Sequence, residues 1–190
     1  MSKKVFLKGT LILACTGLVS RIAGFFYRIF LSHAIGAEGL GLYQLILPLQ
    51  GLMAALSYTG IQSALSRLIA SRLALQEKKE AYFSLVTGIF AAVFFSAVTG
   101  FLLFRHADFF ASTILKAPGT SDLLRLTAAS IPLCAIHSCI DSYYYARKKA
   151  SVPAVVQLSE QSARIGTTYI LYLIFLSEGR PVISSQRAGL

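Results

Sequence analysis

The sequence predicts an all-α integral membrane protein of about five transmembrane helices, with its N-terminus in the cytoplasm. Three observations lead there. Hydrophobic residues make up 55% of the 190 residues and charged residues only 14%, against roughly 25% charged in an ordinary soluble domain. The apolar residues gather into runs of about 20 or more, the length that crosses a ~30 Å hydrocarbon core as a helix. The 18 Lys and Arg, against 8 Asp and Glu, sit in short clusters between those runs, as the positive-inside rule requires. This composition excludes disorder, which needs low hydrophobicity, and a coiled coil, which needs far more charge. The net charge of +10 is read as membrane topology. No nucleic-acid partner is expected, because the cations are spread between spans instead of forming one basic face.

The first span is expected at residues 6–32. Lys3, Lys4 and Lys8 ahead of it resemble the start of a signal peptide, but the apolar stretch is too long and lacks a cleavage pattern after a short core. It is read as a retained helix. A tight turn, His33–Glu38, contains no Lys or Arg and leads to the second span at residues 40–70. Its glycines supply unusual backbone angles, and the spacing of Gly36, Gly39 and Gly41 is not that of a dinucleotide loop. Pro48 and Gly60 are expected to bend or break the second span, as in helices that line transporter cavities. The third span is placed at 82–104, the fourth at 123–146 with Pro132 inside, and the fifth at 153–176. The N-terminus, the second-to-third connection (Arg67, Arg72, Lys78, Lys79) and the fourth-to-fifth connection (Arg147, Lys148, Lys149) carry most of the cations. Those three segments are therefore cytoplasmic. The polar, patternless tail, residues 177–190, reads as truncated.

Cys15, Cys134 and Cys139 lie in apolar segments without a C-x-x-C pair, so they are read as small buried hydrophobes. No metal site, no cofactor and no catalytic set is expected: the G-x-S-x-G, H-E-x-x-H and Walker A patterns are all absent from the sequence. The chain reads as a conduit and not as an enzyme.

Charge inside a bilayer is costly and by default marks function. Arg21 and Arg28, seven residues apart, share a face of the first span. Gly17 and Gly24 repeat that spacing and are expected to allow close helix approach. Arg28 is near enough to the helix end to snorkel, whereas Arg21 is deeper and fits a cavity. In the fifth span Gln157, Glu160, Gln161 and Arg164 fall at i, i+3, i+4 and i+7, a polar stripe that cannot face lipid. Glu160 and Arg164 are spaced to pair. In the fourth span Cys134, His137 and Asp141 share a face; a His–Asp proton relay is weighed against plain hydrogen bonding, and the bland reading is preferred.

Several of these residues stand in long motifs. The run Ser20-Arg21-Ile22-Ala23-Gly24-Phe25-Phe26-Tyr27-Arg28-Ile29-Phe30-Leu31 resembles the first helix of the stage V sporulation protein B family. So do the run from Ile35 through Gly36, Gly39, Gly41 and Tyr43 to Gln44, then Pro48, Gly60-Ile61, Ala64-Leu65-Ser66-Arg67, and Val152-Pro153-Ala154 with Gln157, Glu160, Gln161 and Arg164. That family resembles the polysaccharide and lipid II flippases of the multidrug/oligosaccharidyl-lipid/polysaccharide exporter (MATE-like) superfamily. The resemblance implies two helical lobes around a cavity, alternating access, and movement of a lipid-linked saccharide in cell-wall or spore-cortex assembly. It implies a multi-pass protein of the cell membrane whose partners are membrane lipids and a pyrophosphate-bearing lipid. Arg21, Arg28, Gln44, Gln157, Glu160, Gln161 and Arg164 become the expected substrate-binding residues. Arginine suits this task, because its planar, permanently charged fork holds phosphate oxygens.

The pattern also departs from the family. Where many relatives show Gly-Tyr-x-Gln-Gly after the fourth helix, this chain has Ser142-Tyr143-Tyr144-Tyr145-Ala146. Only five spans of an N-terminal lobe are expected here, so transport would need the missing C-terminal lobe or a partner chain. The competing readings are a cation-coupled drug antiporter of the same superfamily and a non-transporting truncated remnant.

Overall fold

In the computed structural model, residues 3–177 are described, and every regular element among them is helical. Helix α1 (Lys3–Ala54) passes through a π-helical turn at Ala55–Thr59 into α2 (Gly60–Ala74). Then come α3 (Lys78–Arg105), the short α4 (Ala107–Phe109), a second π turn (Phe110–Ile114) and a 3-10 turn (Pro118–Thr120). Helices α5 (Ser121–Ala146) and α6 (Ser151–Ser177) follow. Most of the polar tail, residues 178–190, lies outside the described residues.

Among the described residues three stretches are long and apolar enough to cross a membrane: Leu11–Ala74, Lys78–Arg105 and Ser121–Ala146. Helix α6 is not one of them, since its polar stripe lowers its hydropathy. The first stretch has 64 residues. As a straight helix at 1.5 Å per residue it would measure roughly 96 Å, three times the hydrocarbon core. It is divided at Gly36, whose φ of 74° and ψ of 173° are not helical; that region of backbone space is essentially reserved for glycine. The six-residue turn expected at His33–Glu38 is thus a break at one residue, with helix resuming on both sides. Pro48 lies within α1. Gly60 keeps helical angles, and the irregularity lies just ahead of it, in the π turn.

The described residues form two compact units, one within Met1–Tyr43 and Ala150–Leu190, the other Gln44–Lys149. The second unit is turned inside out relative to a soluble core. On α3, Phe83, Phe90, Phe94 and Phe101 face outward, Phe90 being 72% exposed. Its buried face carries small residues at every fourth position: Gly88, Ala92, Ser96 and Gly100. Lipid is as apolar as leucine, so helices in it associate by close backbone packing, and small residues permit that. Helix α5 supplies Leu124, Ala128, Ile131, Ala135, Cys139 and Ser142 to the same core. A Cβ placed on Gly100 would lie 2.9 Å from the Ala128 carbonyl oxygen. Pro132, four residues after Ala128, has no N–H to offer that carbonyl.

Buried hydroxyls stitch this unit together. Ser57, in the first π turn, hydrogen-bonds the Met53 carbonyl and the Thr99 hydroxyl. Ser142 donates to the Gln62 carbonyl at 3.1 Å and to the Ser138 carbonyl at 2.9 Å. Beyond the end of α3, Arg125 joins Asp108 at 2.9 Å and Asp122 at 3.2 Å. The segment between the third and fourth expected spans is therefore folded, not a bare loop. At the far end of α5, Tyr143 and Tyr144 pack edge to face, and Arg147 stacks over Tyr143 with 5.3 Å to the ring centre.

Candidate functional site

In the first unit the N-terminal half of α1 lies against α6. Gln161 Nε2 donates to the Ser20 carbonyl at 3.2 Å, and the Tyr27 and Thr168 hydroxyls meet at 3.2 Å. Higher up, Phe30 packs against the rings of Tyr169 and Tyr172. These contacts ascend both helices together, so the two run parallel. Both hydrogen bonds join residues 141 apart in sequence, which places Arg164 at the height of Ala23. The heights of Arg21, Arg164 and Arg28 therefore fall within seven residues, roughly 10 Å of helix.

The angular placement follows from 3.6 residues per turn. On α1 the contact line runs through Ser20, Gly24 and Tyr27, and Arg21 and Arg28 lie about a quarter turn to one side. On α6 the line runs through Gln161 and Thr168, and Arg164 lies a smaller rotation to the opposite hand. Because the helices are parallel, opposite rotations bring all three arginines to the same flank of the seam. Phe30 and Tyr169 are rotated the other way on each helix, and their rings do meet, 5.9 Å apart. One flank is thus aromatic and the other cationic. Gln157 and Glu160 belong to the cationic flank by the same reckoning.

Arg21, Arg28, Gln157, Glu160 and Arg164 are all exposed, and Gln161 is half-buried at the seam. Among the described residues none of the three arginines enters an ion pair. Gly24 does receive the neighbouring helix: its Cβ position is 3.6 Å from Gln161 Nε2, whereas nothing approaches Gly17 within 4 Å. Ser20 is buried and its hydroxyl finds no hydrogen-bond partner among the described residues. Gln44 is exposed and belongs to the second unit.

In the second unit His137 Nε2 and Asp141 Oδ2 are 3.9 Å apart, too far for a hydrogen bond and close enough for attraction when the ring is protonated. The described residues contain no cluster of three or more His, Cys, Asp or Glu able to hold a metal. The sequence reading missed the parallel contact of α1 with α6. Its signal was the Ser20-x-x-x-Gly24 spacing, small residues one turn apart on the face next to the arginines.

The profile of a family described as polysaccharide biosynthesis protein matches residues 6–185. Stage V sporulation protein B of Bacillus subtilis (strain 168) is 33% identical over 184 residues, covering 94% of this chain and 35% of that protein's length. No solved structure matches the chain. With the profile spanning nearly all of the sequence, and a relative aligned over almost the same stretch, the chain belongs to the polysaccharide biosynthesis protein family.

Proposed function

We propose that the chain is the N-terminal part of a membrane flippase lobe, and that the cationic flank of the α1/α6 seam binds the pyrophosphate of a lipid-linked saccharide. The observation that carries this is the gathering of Arg21, Arg28 and Arg164 on one flank, where cations outnumber the single carboxylate, Glu160. Three cations within roughly 10 Å repel one another, and one carboxylate offsets only part of that, so a further anion is attracted there. A guanidinium held at membrane depth faces a cavity or a partner, not lipid. Gln157, Glu160 and Gln161 would contact the sugar.

Five crossings with a cytoplasmic N-terminus fit the parallel packing. If α1 and α6 cross in the same direction, an odd number of crossings lies between them. The second half of α1 with α2, then α3, then α5 make three. The other lobe, from the remaining length of the polypeptide or from a partner chain, would complete the cavity for alternating access. A cationic drug calls instead for carboxylates, and this flank offers three guanidiniums to one carboxylate.

The test is binding of a fluorescent polyprenyl-pyrophosphate saccharide to the chain in nanodiscs. A hydrogen bond to a charged group contributes about 2 kcal/mol. Arg21→Ala and Arg164→Ala should therefore each weaken binding about 30-fold, and lysine should restore part of it. Unchanged affinity in both alanine variants refutes the site. Flipping by vesicles that contain the completed transporter, abolished by Arg21→Ala, tests the transport step.

A further inference from the structure

A groove of about 600 Å³ runs along the seam between α2 and α3, wholly inside the second unit. Its walls are mostly apolar from Ile61 and Ala91 down to Leu68 and Phe83, with the hydroxyls of Ser84 and Thr87 on the α3 side, and it ends at Arg72 and Glu80. From Ile61 to Arg72 is eleven residues, roughly 16 Å of helix. That is about half of a 30 Å hydrocarbon core, or one leaflet. The floor lies where Leu65 closes on Gly88: a Cβ on Gly88 would meet the Leu65 side chain at 2.7 Å. Above the floor Leu68 and Phe83 stand as rims, 45% and 67% exposed.

The polar end is charged. Between Arg67 and Glu80 the chain carries Arg67, Arg72, Lys78 and Lys79 against Glu77 and Glu80. Arg72 lines the end of the groove, and its Nη1 is joined to Glu77 at 2.9 Å. A mostly apolar slot one leaflet long, bordered by a segment with four cations against two carboxylates, has the shape and charge of one kind of ligand. We infer that this seam is a binding site for an anionic phospholipid, with one acyl chain along the groove and the phosphate at Arg72. In the orientation proposed above this lipid belongs to the cytoplasmic leaflet, where anionic lipids and basic segments attract each other. The inference rests on the membrane reading and not on transport, because neither the arginines of the α1/α6 seam nor any substrate enters it.

The chain contains no tryptophan, so Phe83→Trp places a lone fluorophore on the rim of the groove. The experiment reconstitutes this variant in vesicles containing phosphatidylglycerol or phosphatidylcholine brominated on the acyl chain, at equal mole fraction. Phe101→Trp, outward-facing but away from the groove, serves as the reference. Phosphatidylglycerol should quench the Phe83→Trp fluorophore with about fivefold apparent preference, the factor one cation near an anionic leaflet contributes. Both lipids should quench the reference equally. Adding Arg72→Gln should erase the preference. Adding Glu80→Gln should increase it, a change of sign that a misfolded protein would not produce. Filling the slot with Ala64→Phe should remove the preference while leaving the reference unchanged. Equal quenching by the two lipids at the rim overturns the inference, as does a preference that survives both Arg72→Gln and Ala64→Phe. Exclusion of both lipids from the rim overturns it too, in favour of a protein segment in the groove. None of these outcomes bears on saccharide binding by the arginine flank.

Discussion

The contact between α3 and α5 makes a sharp prediction about glycine. Gly100→Ala adds one methyl group 2.9 Å from the Ala128 carbonyl oxygen, where even close C···O contacts are about 3.3 Å or more. The obstacle is backbone, so no rotamer change relieves it, and the two helices must move apart by several tenths of an ångström. Overpacking of this kind costs about 1–3 kcal/mol. Alanine repays about 0.5–1 kcal/mol by its better helix propensity. The net expectation is destabilisation by about 1–2 kcal/mol, a fall of roughly 2–8 °C in melting temperature for a chain of this size. Two controls come from the same sequence. At Gly88 the obstructing atoms are the mobile end of Leu65 at 2.7 Å, and at Gly166 nothing lies within 4 Å. Gly88→Ala should be near neutral, and Gly166→Ala should stabilise. Thermal unfolding of the three variants in one detergent, followed by helical circular dichroism, gives the order. If Gly100→Ala melts at or above Gly166→Ala, close backbone packing of α3 on α5 is refuted.

The other predictions concern single residues. Gly36→Ala forces an L side chain into a φ of 74° with ψ of 173° and should cost about 1–3 kcal/mol in the same melting assay; a neutral result would mean the break is not held there. Ser57→Ala removes the hydroxyl that meets Thr99 and the Met53 carbonyl, and should destabilise by about 1 kcal/mol, with Thr99→Ser nearly silent. Tyr27→Phe breaks the 3.2 Å bond to Thr168 and should cost about 0.6 kcal/mol, the typical worth of a hydrogen bond between membrane helices. A Tyr27→Phe, Thr168→Val double-mutant cycle isolates that coupling, and additive effects would show that the hydroxyls do not interact. Arg125→Gln breaks links to both Asp108 and Asp122. All three groups are exposed, so its effect should stay within about 1 kcal/mol and shrink with added salt.

Membrane class was legible because it depends on sums over long windows: apolar length, scarce charge and the placing of Lys and Arg. Break points were half legible. Gly36 lay inside the expected turn, yet nothing in the residue types said that one glycine would suffice where six residues were allotted. The π turn at Ala55–Thr59 fell between Pro48 and Gly60, the two residues singled out as breakers. It depends on where Ser57 finds Met53 and Thr99, which lie on two different helices.

The sequence by itself determined a membrane protein with long apolar helices, and that Arg21 and Arg28 would stand in one of them and Arg164 in a helix with a polar stripe. It determined that much because hydrophobic transfer and charge burial depend on residue type and on position within a span. Only the tertiary structure decided that α6 runs parallel to the start of α1, which puts the three arginines on one flank and Phe30 with Tyr169 on the other. Only it decided that Gly88 and Gly100 are points of closest approach while Gly17 is not, and that α2 and α3 leave a leaflet-length groove between them. The physical reason is the weakness of the code for helix packing in lipid. With no hydrophobic gain to choose one face over another, the partner of each face is selected by close van der Waals fit and a few buried hydroxyls. Those quantities exist only once two helices have met.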